Sequence, residues 1–257
     1  MILSRRGSLK TLTAAAASQA WPAGGAKPSL REVGIRLVVL DVGGTIIEDR
    51  GDVPETLRSV LAAHGIAASP AEIGQLRGAS KREIVKHFVD RQSIPPDADR
   101  EKLASAIYQE FREQLIAAYQ KVPPITGAEE AFETLRQRGY LLATTTGFDR
   151  EITTSIFRRL GWEKYFAATI CSDDVVQGRP APFMLFHAME AARVNKVSET
   201  MAVGDTPLDL QAGSNAGLRG VVGVLSGAST VEVLRREPHT HILPSVAQLP
   251  GLLASKA

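Results

Sequence analysis

Short apolar runs alternate with segments of helical periodicity along most of this chain. The first run, Leu37–Leu40, contains two β-branched residues and ends at Asp41. An apolar run without polar alternation is typical of a strand that is buried on both faces of a parallel sheet. Further strands are predicted from similar runs at 140–144, 167–171, 201–204, 220–225 and 241–243.

Helical segments separate these strands. Apolar residues recur at helical spacing, and glycine or polar residues mark the helix ends. Helices are predicted at 128–137, 149–160, 182–193, 208–216 and 230–235. Because strand and helix alternate, we predict an α/β fold with a doubly wound parallel sheet.

The segment 51–122 carries no strand pattern and interrupts this alternation just after the first strand. Pro54 fits the first turn of a helix that ends near Gly65, since proline favours the first helical position and glycine follows helix ends. Two further apolar faces consist of Ile84, Val85, Phe88 and Val89, and of Leu103, Ile107, Phe111, Leu115 and Ile116. We predict an all-helical cap over 51–122, and a core formed by 33–50 and 123–257. Such a cap could act as a lid over a site at the strand ends.

Residues 1–32 show neither pattern and are predicted to form a leader outside the fold. The segment 4–10, which contains Arg5 and Arg6, resembles the twin-arginine export signature of bacterial signal peptides. A mildly apolar, Ala-rich run and a small-residue stretch at 22–26 follow it. We expect export to the periplasm. The alternative is a disordered or mis-started extension on a cytoplasmic protein.

Composition and charge argue against some classes of binding partner. The net charge of +2 is accounted for by the leader's Arg5, Arg6 and Lys10, so no basic field remains to suggest nucleic-acid binding. No segment reaches about 18 consecutive apolar residues, so we expect no membrane-spanning helix. The single cysteine, Cys171, cannot form an internal disulfide and is predicted to be a core or near-site residue.

Polar side chains follow the predicted strands. Asp41 ends the first strand, and Gly43, Gly44 and Thr45 follow it in a turn whose backbone N–H groups can face an anion. Later strand ends offer hydroxyls ahead of a helix, a cation in a stiff loop and two further carboxylates. In chain order these stretches contain Thr145, Thr146 and Gly147, then Arg179, then Asp205 and Asp209.

Three of these residues, Asp41, Asp205 and Asp209, form an all-oxygen donor set suited to Mg²⁺. Ligands of open α/β sheets bind outside the carboxyl ends of the strands, which is where these residues are predicted to lie. An aspartate at a strand–helix turn is more often an N-cap than a ligand. The recurrence of such residues at successive strand ends favours a catalytic site.

These stretches resemble the motifs of the haloacid dehalogenase superfamily of hydrolases over about residues 35–250. The segments 145–151, 173–184 and 203–206 are most similar to phosphonoacetaldehyde hydrolase and its phosphonatase-like relatives. The resemblance implies a Rossmann-like core with a helical cap, Mg²⁺ as the cofactor and a small organophosphorus substrate. A homodimer is compatible with it, and the oligomeric state stays open.

The resemblance assigns roles to the residues at the strand ends. It implies that Asp41 is a nucleophile that forms an aspartyl-phosphate, and that Arg179 steadies the nucleophile or the phosphate. The implied phosphate-binding residues are Gly43, Gly44, Thr45, Thr145 or Thr146, and Gly147. The implied metal ligands are Asp41, Gly43, Asp205 and Asp209.

Gly43 stands where phosphatases of this superfamily carry a second aspartate, which protonates the departing alkoxide. An enzyme without that acid needs a leaving group such as a halide or an enamine. An enamine arises when a lysine first forms an imine with an aldehyde phosphonate, and Lys81 in the cap matches the family's imine-forming lysine. The family carries a histidine three residues later, where this chain has Ile84; His87 is the candidate substitute.

The leading prediction is therefore a Mg²⁺-dependent, phosphonatase-like hydrolase. One alternative is a phosphate monoester phosphatase, similar to phosphoglycolate phosphatase, in which Lys81 only contacts phosphate. A dehalogenase is disfavoured, because halide chemistry has no use for the Mg²⁺ that Asp205 and Asp209 would hold. A phosphate-binding module without turnover is the fourth hypothesis.

Overall fold

Six parallel strands form one sheet in the computed structural model, which describes residues 34–92 and 99–254. The strands are β1 (Leu37–Leu40), β2 (Leu141–Thr145), β3 (Ala168–Ile170), β4 (Thr200–Gly204), β5 (Gly220–Val224) and β6 (His241–Leu243). Their order across the sheet is β3-β2-β1-β4-β5-β6. This order is that of a doubly wound sheet, so the predicted fold class is confirmed.

Helices divide into a cap inserted after β1 and a set that belongs to the core. The cap contains α1 (Asp52–Ala63), α2 (Pro70–Gln75), α3 (Lys81–Asp90) and α4 (Arg100–Tyr119). The core contains α5 (Ala128–Gln137), α6 (Arg150–Leu160), α7 (Phe183–Ala191), α8 (Pro207–Asn215), α9 (Val231–Leu234) and α10 (Leu249–Leu252). Observed ends lie within one or two residues of most predicted ones. The short helix α10 was not predicted, because Pro250 and Gly251 within it favour a turn.

Several expectations concern features that this structure does not test. The predicted leader, residues 1–32, lies outside the described residues, so export stays a prediction. Association into a homodimer stays a prediction as well. Within the described ranges, no helix is both long enough and apolar enough to cross a membrane.

Strand β1 lies at the centre of the sheet, and all four of its residues are buried. Val38 and Leu40 join the larger apolar cluster, whereas Leu37 and Val39 join a second cluster on the opposite face. Alternate residues of a strand point to opposite faces, which explains why an unbroken apolar run was needed here. Burial on this scale stabilises the fold by about 1.5–3 kcal/mol for each large side chain.

The order of the strands positions the site. From β1 the chain continues to β2 and β3 on one side of the sheet, and β4 then lies on the other side of β1. A crevice therefore opens at the carboxyl end of β1. Asp41 lies at the mouth of this crevice, and its backbone N–H donates to the carbonyl of Val203 on β4 at 2.9 Å. The first carboxylate is therefore fixed by the sheet itself.

The cap lies directly over this crevice. Its Tyr108 hydroxyl donates to Asp149 Oδ2 at 2.7 Å, and its Arg112 pairs with Glu151 at 2.8 Å. The Lys81 amide at the start of α3 donates to the carbonyl of Gly147 at 3.1 Å. The structure thus shows a closed arrangement, in which cap and core both line one cleft.

Candidate active site

Asp41 and Arg179 form the buried centre of the site. Arg179 Nη2 lies 2.7 Å from Asp41 Oδ1, and Arg179 Nη1 lies 2.7 Å from Asp209 Oδ1. The Arg179 side chain is only 3% exposed, so water screens these ion pairs little. One guanidinium therefore bridges the carboxylates that follow β1 and β4.

Two adjacent threonines lie at the carboxyl end of β2, Thr145 as its last residue and Thr146 directly after it. Arg179 Nη2 donates to the Thr145 carbonyl at 2.7 Å and to the Thr145 hydroxyl at 3.0 Å. Thr146 lines the cleft together with Gly147, and its hydroxyl oxygen accepts from the Phe148 amide at 3.1 Å. The structure therefore places Thr145 on the arginine and Thr146 beside the space for a substrate.

Asp205 and Asp209 follow β4 and have different partners. Asp205 Oδ2 accepts from the Ala228 amide at 2.7 Å, and Asp205 Oδ1 lies 3.5 Å from the Thr45 hydroxyl. Asp209 Oδ2 accepts from the amide of Thr206 at 3.0 Å and from its hydroxyl at 2.6 Å. Both oxygens of Asp209 are thus in use, because its other oxygen pairs with Arg179.

The turn after β1 lies close to Asp205. Gly44 has a φ of 79°, and a Cβ added there would lie 2.5 Å from Asp205 Oδ2. Only glycine tolerates both that conformation and that approach. The turn and the second strand end are therefore packed as one unit.

Three buried carboxylates meet at this point. Oxygens of Asp41, Asp205 and Asp209 all lie within 4.8 Å of one another. Burial, with the neighbouring carboxylates, raises the pKa of Asp41 to about 6 despite the opposing charge of Arg179, and raises the pKa of Asp205 as well. Burial is the largest cause of both shifts, and the charge of Arg179 offsets only part of the rise at Asp41. The hard oxygen donors of the cluster fit a Mg²⁺ ion.

Gly43 has room for a side chain. Its φ is not positive, and an added Cβ would meet the Phe148 ring at an ordinary 3.5 Å. The backbone therefore does not require glycine at this position. The absence of the second aspartate at this position is therefore not imposed by the backbone conformation or by crowding at Cβ. It bears on the chemistry of the site.

Lys81 enters the cleft from the cap at the start of α3. It is 7% exposed, its Nζ donates to the Ala79 carbonyl at 2.9 Å, and it lies 5.3 Å from the centre of the Phe148 ring. Burial lowers its pKa to about 8, although the nearby charge of Asp41 opposes the shift. A buried lysine with such a pKa is suited to react as a free amine.

His87, the candidate substitute for the family's histidine, does not take that place. His87 is exposed and is absent from the lining of the cleft, whereas Ile84 is part of that lining. An α-helix turns once every 3.6 residues, so His87 and Lys81 point to different sides of α3. The chain therefore has no imidazole in place of Ile84.

Several cleft residues carry no motif that sequence reasoning could have found. Tyr119, at the end of α4, lies against Phe148 with ring centres 5.4 Å apart. Arg77 pairs with Asp49 at 2.7 Å where cap and core meet. Apolar side chains of the cap complete the lining, namely Val53, Leu57, Ile73, Leu76 and Ile84.

This arrangement places the protein among the capped α/β hydrolases. A family model described as haloacid dehalogenase-like hydrolase matches residues 35–217, and the chain belongs to this family. The resemblance seen in the sequence is therefore confirmed. The Cys171 side chain is buried, and burial raises its pKa to about 12, as suits a core residue rather than a reactive thiol.

Known proteins resemble the chain over most of its length. Phosphonoacetaldehyde hydrolase of Bacillus cereus is 29% identical, with 79% of this chain and 80% of that protein covered. Phosphoglycolate phosphatase of Agrobacterium fabrum is 27% identical, with coverages of 84% and 91%. The solved structure of a phosphonoacetaldehyde hydrolase-like protein from Oleispira antarctica superposes with a TM-score of 0.75 at 22% identity, covering 86% and 91%. This last likeness supports the fold.

Proposed function

We propose that this protein is a Mg²⁺-dependent phosphonatase that cleaves the carbon–phosphorus bond of a small aldehyde phosphonate. The observation that carries the proposal is a buried lysine amine, Lys81, in the same cleft as Asp41 and Gly43. The cleft combines a nucleophile for phosphorus with an amine for an aldehyde. Gly43 offers no side-chain acid to protonate an alkoxide leaving group.

Lys81 acts first in this scheme. With a pKa of about 8, roughly a tenth of the amine is neutral at pH 7 and can attack the aldehyde carbon. The carbonyl oxygen leaves as water, and a protonated imine joins the substrate to Lys81. The imine then accepts the electron pair of the carbon–phosphorus bond and becomes an enamine, so the departing carbon needs no proton at Gly43.

Asp41 supplies the nucleophile for the second step. Its carboxylate oxygen bonds to phosphorus as the carbon–phosphorus bond breaks, which gives an aspartyl-phosphate. Arg179 holds the carboxylate through a 2.7 Å contact and offsets the negative charge at the centre. Water then releases phosphate from Asp41, while protonation and hydrolysis of the enamine free Lys81 and the aldehyde product.

The carboxylate cluster is the proposed metal site. Asp41, Asp205 and the backbone of Gly43 would hold Mg²⁺, with Asp209 in support through Arg179. When bound, Mg²⁺ offsets the repulsion between the anionic substrate and Asp41. Gly43, Thr146 and Gly147 line the cleft around the space proposed for phosphate, whereas Gly44 and Thr45 lie against Asp205. Thr145 positions Arg179.

A phosphate monoester phosphatase is the second candidate. The similarity to the Agrobacterium fabrum phosphatase favours it. In that case Lys81 contacts the phosphate as a cation and forms no covalent bond. The two candidates share Asp41, the metal site and Arg179, so the chemistry of Lys81 separates them.

Borohydride trapping tests the proposal. Phosphonoacetaldehyde with borohydride is expected to inactivate the protein irreversibly and to add the reduced two-carbon product to Lys81, as read by peptide mass spectrometry. Lys81→Arg is expected to release no phosphate from this substrate, because a guanidinium stays charged and forms no imine. Lys86→Arg, at an exposed position of the same helix, is the matched control and should retain full activity.

Two results would contradict the proposal. One is a Lys81→Arg variant with most of the activity on phosphonoacetaldehyde. The other is phosphate release from phosphoglycolate and similar esters, with none from phosphonates. The second result would establish the phosphatase in its place.

A further inference from the structure

Tyr119 differs from the other three tyrosines of this chain. The hydroxyls of Tyr108, Tyr140 and Tyr165 donate to Asp149, to the Leu253 carbonyl and to Glu133 at 2.7, 3.0 and 3.1 Å. Within the described part of the chain, the Tyr119 hydroxyl has no such acceptor, although the residue is 3% exposed and lines the cleft. This oxygen is not among the fully enclosed polar atoms that lack a partner within the described ranges, so its hydrogen bond goes to water or to a ligand in the cleft.

The surroundings of Tyr119 locate that partner. Its ring packs edge-on against Phe148, and the Lys81 amine lies 5.3 Å from the centre of the same Phe148 ring. Tyr119 and Lys81 thus contact one aromatic ring, and both line the cleft. An organic group bound at Lys81 therefore lies in the same part of the cleft as Tyr119.

The chemistry of this corner restricts what the hydroxyl can meet. Burial and the charges of Asp49, Asp52 and Asp41 raise the pKa of Tyr119 above its ordinary value, so the phenol stays neutral and keeps its proton. Nearby cap residues such as Leu57 and Ile84 offer only apolar surface. The carboxylates that raise this pKa disfavour an anionic phosphate oxygen beside the phenol, so its O–H is suited to donate to an uncharged oxygen.

We infer that the Tyr119 hydroxyl donates a hydrogen bond to a carbonyl or hydroxyl oxygen on the substrate's organic part. Tyr119 is then a specificity-determining residue, which favours oxygen-bearing organophosphorus compounds over plain alkyl ones. A site built to donate to such an oxygen discriminates against analogues that lack it, since its own polar group is then left unpaired. The inference rests on the proposed function, because it places an organophosphorus compound in the cleft.

A pair of phosphonates that differ by one oxygen provides the test. With saturating Mg²⁺, isothermal titration gives the Kd of 2-hydroxyethylphosphonate and of ethylphosphonate for each variant. The wild type is expected to prefer the hydroxylated compound by about tenfold or more. Tyr119→Phe should lose that preference, whereas the matched control Tyr108→Phe, whose hydroxyl lies on Asp149, should keep it.

Stability provides a second readout. The Tyr119 hydroxyl has no acceptor within the described ranges, so Tyr119→Phe is expected to keep or raise the melting temperature. Tyr108→Phe is expected to lower it, because Asp149 then loses a buried donor. A Tyr119→Phe variant that melts markedly earlier than the wild type would assign the hydroxyl to the fold and overturn the inference.

The binding outcomes are separate from those for the proposed function. Equal affinity of the wild type for both phosphonates, or a preference that survives Tyr119→Phe, overturns the inference even if the carbon–phosphorus bond of phosphonoacetaldehyde is cleaved. If phosphonoacetaldehyde is not cleaved, the proposed reaction is wrong. The ratio of the two Kd values still tests the role of Tyr119 independently.

Discussion

Replacing Lys81 by methionine should stabilise the protein while abolishing its proposed activity. Lysine is charged in the unfolded chain, and burial lowers its pKa in the folded one from 10.5 to about 8. That difference corresponds to about 3 kcal/mol of lost stability whenever both states hold the proton. Methionine has a similar length and no charge to bury.

Part of this gain is offset. The Lys81 amine donates to the Ala79 carbonyl at 2.9 Å, and Lys81→Met leaves that oxygen without this donor. The loss costs about 1 kcal/mol. The expected net effect is about 2 kcal/mol of stabilisation, or roughly 4–8 °C in melting temperature for a chain of this size.

The stability difference between Lys81→Met and the wild type depends on pH, and its direction follows from the two pKa values of Lys81. Below pH 8 the folded and unfolded states both carry the proton on Lys81, so the wild type bears the full cost. Between pH 8 and 10.5 the folded state releases the proton while the unfolded state keeps it, so wild-type stability rises with pH. The advantage of methionine should therefore be largest at neutral pH and shrink as the pH approaches 10.5.

Urea unfolding of metal-free protein, measured at neutral and at alkaline pH, tests this reasoning. Lys86→Met is the matched control, because Lys86 is exposed on the same helix and pairs with Asp90 and Glu101 at the surface. It should bring no gain at neutral pH. A Lys81→Met variant that is less stable than the wild type at pH 7, or whose gain is independent of pH, would refute the reasoning.

Two further predictions concern the strand ends. Asp41→Asn should abolish phosphate release while the far-ultraviolet circular dichroism stays native, since an amide has nearly the same size but is a far poorer nucleophile; a folded, active variant would remove Asp41 from that role. Asp205→Ala should weaken Mg²⁺ binding in isothermal titration and lower the rate, because a carboxylate ligand is lost from the cluster. Full wild-type activity in excess EDTA would contradict the metal assignment.

The sequence was most informative where its patterns are unambiguous. An apolar run such as Leu37–Leu40, without polar alternation, predicted a buried central strand, and the carboxyl ends of parallel strands necessarily share one edge. Asp41 and Asp205 could therefore be assigned to one site from the order of residues alone, whereas the role of Arg179, in the loop after β3, came from the resemblance to the family. The assignment of the two aspartates rests on the topology of a parallel sheet, in which all strands end at the same edge.

Other features depended on side-chain direction, which a short pattern does not determine. Thr145 and Thr146 are neighbours, and only the structure places one on Arg179 and the other in the cleft. The cap pattern predicted which helix faces are apolar. It could not predict that Tyr119 meets Phe148 above the strand ends, because that contact depends on how the cap docks.

The docked cap has a consequence for the reactivity of Lys81. The amide of this residue bonds to the Gly147 carbonyl of the core, and the burial that lowers its pKa comes from the same closed arrangement. If the cap opened, water would return to the amine and its pKa would rise toward 10.5, which would leave less neutral amine at pH 7. The proposed chemistry of Lys81 therefore depends on the docking of the cap on the core.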